Sequence, residues 1–83
     1  MKTGIEQIAE ERAKQLNKYS LVHDLSHSDS ELLTAAVSYI YGGSVGRDMW
    51  PWERESFKDE GYVENLKKAG ALIAAVLDRL NLT

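Results

Sequence analysis

The chain contains no cysteine, which excludes a disulfide scaffold and any metal site built on thiolates. One proline and six glycines among 83 residues are too few for a collagen-like or low-complexity polypeptide. Hydrophobic residues make up 43% and charged residues 28%, enough apolar material to exclude a fully disordered chain. Basic excess is also missing: ten Lys and Arg stand against thirteen Asp and Glu, a net charge of -3. Binding to a phosphate backbone needs a basic surface, so no nucleic-acid partner is expected. The longest nearly apolar run, Ala69 to Leu77, is about half of the ~20 residues a bilayer span needs, and no membrane association is expected. The first residues carry no apolar stretch of the secretory kind, so a cytoplasmic location is expected. No Walker lysine motif, Gly-x-Ser-x-Gly elbow or His-Glu-x-x-His occurs. Gly42-Gly43-Ser44-Val45-Gly46 is glycine-rich but lacks the preceding strand that a phosphate loop requires. The paired Glu-x-x-Glu and Glu-x-x-Asp motifs of helical nucleotide pyrophosphatases have no matching pair here.

What is present is helical periodicity. The first helix is predicted from about Thr3 to Lys18, with Thr3 and Glu6 forming a capping box. Ile5, Ile8, Ala9, Arg12, Ala13 and Leu16 share one face, and Glu10–Lys14 is an i,i+4 pair. The second is predicted from about Asp29 to Tyr41. Ser28 and Glu31 form a capping box, and Leu32, Leu33, Ala36, Val37, Ile40 and Tyr41 form its apolar face. Gly42 and Gly43 are expected to stop it. The third is predicted from about Gly61 to Asn81, with Asp59 or Glu60 at its start and Glu64–Lys68 as an i,i+4 pair. Val63, Leu66, Gly70, Ile73, Leu77 and Leu80 repeat at heptad spacing, with Ala69, Leu72 and Val76 as a second stripe. This helix is the expected centre, and Gly70 and the alanines let another helix approach, from the same chain or a second copy. The expected architecture is all-α, one compact three-helix domain over 1–83. A long aromatic-containing connection, Gly42 to Glu60, joins helices 2 and 3, and connections of that length are often functional. A domain this small buries only about 60–65% of its unfolded surface. A homo-oligomer or a bound ligand would supply stability that the core does not.

Four groups of residues bear chemistry. His23, Asp24, His27 and Asp29 place two imidazoles and two carboxylates within seven residues, a set that could hold a divalent metal such as Zn²⁺, Mn²⁺ or Ni²⁺. The alternative is that they cap helix ends and pin the loop. Arg12 falls on the apolar stripe of the first helix, so it needs a carboxylate partner such as Asp24 or Glu31, or else faces a pocket and holds an anion. Trp50-Pro51-Trp52 either closes the core or offers stacking faces to a flat ligand, with Arg47 and Arg54 flanking it. Lys67, beside the core seam, lies where the tryptophan segment must return; Lys68, Asp78 and Arg79 read as a solvated face.

Taken in order, Glu11-Arg12 with Gln15, His23-Asp24 with His27, Glu31-Leu32, Ala35-Ala36, Tyr39, Trp50-Pro51-Trp52, Leu66, Lys68-Ala69-Gly70-Ala71-Leu72-Ile73 and Asp78-Arg79-Leu80 resemble a family of small helical phage and prophage proteins. The likeness runs from about Ile5 to Leu80. It departs at Ala75-Val76-Leu77, where an acidic residue is expected before Asp78-Arg79. The resemblance implies a phage-encoded accessory product and assigns no catalytic residue.

Three functions are compatible with these features. The first is a non-enzymatic helical oligomer that binds or sequesters a nucleotide-type small ligand, with an anti-defence role. Its ligand would be held by Arg12, His23, Asp24, His27, Trp50, Trp52 and Lys67, with no cofactor. The second is a homo-oligomeric protein-interaction module without a small ligand. The third is a metal-dependent nucleotide phosphohydrolase with His23, Asp24 and His27 as the candidate metal ligands.

Overall fold

A computed structural model of the chain describes residues 1–18 and 26–82. The described residues form four α-helices and no strand: α1 (Gly4–Lys18), α2 (Asp29–Tyr41), α3 (Gly43–Met49) and α4 (Tyr62–Asn81), with a 3-10 turn at Arg54–Ser56. Both predicted capping boxes form. Thr3 Oγ1 accepts from Glu6 N–H and Glu6 Oε1 from Thr3 N–H, and Ser28 and Glu31 exchange the same pair of bonds.

The all-helical expectation holds, but the count of three helices misses α3. Gly42 ends α2 as expected, its N–H donating to Ser38 O, yet Gly43 begins a new helix rather than a loop. Both glycines have positive φ, 67° and 56°, a conformation that glycine adopts without steric cost. They turn the chain back so that α3 lies against the last turns of α2. Gly46 makes that contact possible: a Cβ there would sit 2.2 Å from Ser38 O.

α4 is central, as expected, with α1 and α2 packed on it. At one end of the α2–α4 pair Arg79 Nη1 donates to Asp29 Oδ1 at 2.6 Å. At the other, Gly42 of α2 approaches Asn65 of α4, so the two helices run antiparallel. Leu32, Ala35, Ala36 and Tyr39 of α2 are buried with Ala69, Leu72 and Val76 of α4, and Phe57 from the connection closes the cluster. α1 crosses α4 where Gly70 leaves room for Ile8, so the close approach expected at Gly70 comes from the same chain.

The buried faces differ from those expected. On α4 the second stripe, Ala69–Leu72–Val76, points inward with Ala71, Ala75 and Asn65, whereas the heptad seam Val63, Leu66, Ile73, Leu77 and Leu80 is exposed. On α2 the inward set is Leu32–Ala35–Ala36–Ser38–Tyr39, and Leu33, Ile40 and Tyr41 face outward. On α1 Ile5 is 80% exposed and Leu16 is also exposed. Small side chains decide this. Alanine and serine let helix backbones come close, and ridge-into-groove packing then selects that face over the one with larger residues. The ion pairs also shift register: Glu10 pairs with Lys2, Lys14 lies 4.0 Å from Glu11, and Glu64 pairs with Lys67 rather than Lys68.

The connection 50–61 is held by a polar clasp. Asp59 Oδ2 accepts from Gly43 N–H at 2.6 Å, and its Oδ1 accepts from Gly61 N–H and from Asn65 Nδ2. Asn65, only 3% exposed, in turn accepts from Glu60 N–H. α4 therefore starts at Gly61 without a side-chain cap of its own, and Asp59 serves the turn before it. The Gly61 and Gly43 N–H groups and the Asn65 amide hold the Asp59 carboxyl below its ordinary range.

Candidate functional site

The clasp fixes the aromatic segment over one side of the helices, and between them lies a groove of about 780 Å³. That volume falls within the ~300–1,000 Å³ of small-molecule sites. Its floor is Leu32 and Leu72, and one wall carries the rings of His27, Tyr39, Trp50 and Trp52. The rim carries Lys14, Lys18, Lys58 and Lys68 together with Glu11, Glu53 and Glu60.

The wall is built by ring-on-ring packing. Tyr39 stacks on Phe57 with centroids 5.0 Å apart, and Trp50 meets Tyr39 edge-on at 5.1 Å and Phe57 at 5.2 Å. Trp52 meets Trp50 edge-on at 5.1 Å, and His27 lies 4.6 Å from Trp52. Edge-to-face and offset arrangements at these separations are the favoured ones for aromatic pairs. Each indole N–H is anchored: Trp50 Nε1 donates to Ser56 Oγ at 2.8 Å, and Trp52 Nε1 to Glu31 Oε2 at 3.0 Å. Both tryptophans are half-buried against the core cluster, so one ring surface supports the fold while another faces the groove. The core-closing reading of the Trp-Pro-Trp segment is met by both rings, which also line the groove.

Several groups titrate away from their ordinary values. The Glu31 carboxyl is lowered by the Ser28 N–H of the capping box and then by the Trp52 indole. Burial raises the Tyr39 phenol, whose oxygen accepts from Lys58 N–H at 3.4 Å. The Glu60 carboxyl is lowered by the Lys68 ammonium that holds it. Lys68 also donates to Lys58 O and lies 5.4 Å from the Tyr39 ring centroid, within cation–π range.

Of the residues expected from sequence, the groove gathers His27, Trp50 and Trp52. Arg12 is buried as expected but is not among the residues lining the groove, and the carboxylate it meets among the described residues is that of Asp78 rather than Glu31. Its Nε and Nη2 both reach Asp78 Oδ2, at 3.0 and 2.9 Å, and Nη1 donates to Gln15. That arginine ties α1 to the last turns of α4, across 66 positions of sequence. Lys67 is not part of the groove; its ammonium donates to Glu64 at 3.0 Å. Helix geometry explains the exchange, since neighbours on a helix point about 100° apart, and Lys68 is the one aimed into the groove. His23 and Asp24, with Asp24 as the other expected partner of Arg12, lie outside the described residues. Asp29 is engaged by Arg79, His27 lies 3.8 Å from Glu31, and no three His, Asp or Glu side chains gather for a metal among the described residues. Tyr39 is not among the expected face or site residues, although Leu32, Ala35, Ala36 and Tyr39 follow the i, i+3, i+4, i+7 template of a buried face.

Chemically the groove offers flat apolar faces next to ammonium groups: it can stack a planar ring and hold a small anionic substituent. No helix is long and apolar enough to cross a membrane among the described residues. No protein-family model, curated protein or solved structure matches the chain.

Proposed function

We propose that the protein is a non-enzymatic binder of a small nucleotide-type ligand, held in the groove between α1, the Trp-Pro-Trp segment and α4. The observation that carries this is the wall of four rings facing a rim of four lysines. A base stacks on an indole or imidazole face, worth about 1–3 kcal/mol per base, and a phosphate takes the place of a glutamate on a rim lysine. Glu11, Glu53 and Glu60 share that rim, so the local field suits a ligand with one or two phosphates better than a polyphosphate chain. In a phage accessory product, such a groove would sequester a nucleotide signal made by the host.

Both tryptophans of the chain lie on the wall, so intrinsic fluorescence reads the site directly. Titration with adenosine and guanosine mono- and diphosphates, linear and cyclic, should quench emission with saturation. Native mass spectrometry should show one adduct per groove, unchanged in mass over hours. Lys68→Ala should weaken the adduct while helicity is kept. Absence of quenching and of adduct with every nucleotide at millimolar concentration refutes the reading, and a cleaved adduct replaces binding with hydrolysis. A protein-interaction role has separate support, the apolar face opposite the groove.

A further inference from the structure

α1 and α2 flank α4 on opposite sides, and the aromatic segment covers one side of that layer. The short dimension of the chain, 18 Å against 34 Å for the other two, matches one helix layer with a segment laid over it, given a helix diameter of ~10–12 Å. Domains are ordinarily two or more layers closing on a core. Among the described residues no element covers the second side of the layer, where Leu66, Ile73, Leu77 and Leu80 remain exposed.

The open side is apolar. On α4, Leu66, Ile73, Leu77 and Leu80 fall within an arc of about 60° at 100° per residue, about a quarter turn from the stripe that packs on α2. On α2, Leu33 and Ile40 lie to the same side of the helix pair, away from the Tyr39 side that lines the groove. These six side chains are between 41% and 56% exposed. No ionisable residue falls in the α4 arc between Leu66 and Leu80. Meanwhile the inward face of α4 is largely alanine: Ala69, Ala71 and Ala75 with Leu72 and Val76. The helix thus turns its small residues inward and most of its large aliphatics outward, the reverse of an ordinary surface helix.

We infer that this face is the interface of a homodimer, in which α4 packs antiparallel on α4 of a second copy about a two-fold axis near Ile73. Half-exposed Leu and Ile side chains leave on the order of 70 Å² each, so the six offer about 400 Å² of apolar surface. A stable interface takes about 800 Å² per partner, rather more than half of it apolar, so this face supplies most of what a dimer needs. Leu66, Ile73, Leu77 and Leu80 keep the heptad spacing of a helix–helix seam, at intervals of 7, 4 and 3 residues. Ile73 is midway between Leu66 and Leu80, so a two-fold axis at Ile73 sets Leu66 of one copy against Leu80 of the other and the same patch is used by both, an isologous contact. An anionic lipid surface is a poorer occupant, because the chain carries a net charge of -3. The dimer leaves both grooves on the outside and does not depend on what they bind.

Analytical ultracentrifugation of the full chain from 1 to 200 micromolar should give a species of twice the 9.3 kDa chain mass. Ile73→Asp should raise the dimer dissociation constant by roughly 100-fold or more. If that variant unfolds, single-cysteine variants keep the test decisive, because the chain has no cysteine of its own. Ile73→Cys should cross-link to a disulfide dimer on mild oxidation, and Glu55→Cys, on the aromatic side, should not. A wild-type chain that is monomeric throughout overturns the inference, whether or not vesicles then capture it. So does an oligomer that survives in Ile73→Asp, or one in which Ile73→Cys fails to cross-link.

Discussion

Gly46→Ala is expected to destabilise the protein even though alanine is the better helix former. The added Cβ would lie 2.2 Å from Ser38 O and 3.1 Å from Phe57 Cζ. Ordinary carbon–oxygen contact needs about 3.2 Å, so α3 must withdraw from α2 by roughly 1 Å, and the attraction across that contact falls steeply with such a gap. Forcing an extra methyl into a packed contact costs about 1–3 kcal/mol, and the obstacle here is a backbone carbonyl held in α2, not a side chain that can rotate. The helix-propensity gain, ~1 kcal/mol, offsets part of it. With an immobile carbonyl the packing cost lies in the upper part of its range, about 2–3 kcal/mol, and the net loss of about 1–2 kcal/mol lowers Tm by roughly 5–15 °C in a domain of this size. The control is Gly4→Ala, where nothing lies within 4 Å of the new Cβ; it should hold or raise Tm. Thermal and urea denaturation followed by circular dichroism measure both. Should Gly46→Ala match or exceed the wild type, the packing of α3 on Ser38 is wrong.

The polar clasp yields two more expectations. Asn65→Ala removes the acceptor for Glu60 N–H and a donor to Asp59 from a buried position, at a cost of about 2 kcal/mol in urea unfolding; a change below 0.5 kcal/mol contradicts the clasp. Asp59 titrates below its ordinary value near 3.8, so its ionised form stabilises the fold fully above the unfolded value. That contribution is lost as pH falls through the depressed folded value, because the unfolded chain binds the proton first. Asp59→Asn should therefore lower stability at neutral pH and flatten the acid limb of the stability curve below about pH 4; an acid limb parallel to the wild type contradicts the assignment.

Much of the helical framework was legible because its signals are local. Thr3–Glu6 and Ser28–Glu31 are capping boxes by residue type and spacing alone, and they mark where α1 and α2 start. α3 was not legible, because a seven-residue helix with two glycines is far below the length that sustains itself; its existence rests on Gly46 meeting Ser38. The burial of Arg12 could be read from the stripe around it, but not its bond to Asp78, which lies 66 positions along the chain. Heptad spacing on α4 revealed an apolar seam without saying on which molecule its partner lies. In the site, Trp50, Trp52 and His27 stood out by type. The choice of Lys68 over Lys67 depends on helix rotation against α2, which the alanines set.

Glu31 divides its carboxylate between two tasks: Oε1 accepts from Ser28 N–H to cap α2, and Oε2 accepts from the Trp52 indole. A carboxylate can do this because both oxygens accept. Glutamine has one accepting oxygen and must give up one bond, and aspartate is a methylene short of the reach. The residue admits no conservative replacement, a tighter restriction than capping or indole anchoring would impose alone. The start of α2 and the position of the groove wall are therefore inherited together, so the ring that faces the groove cannot be retuned at residue 31 without disturbing where the helix begins.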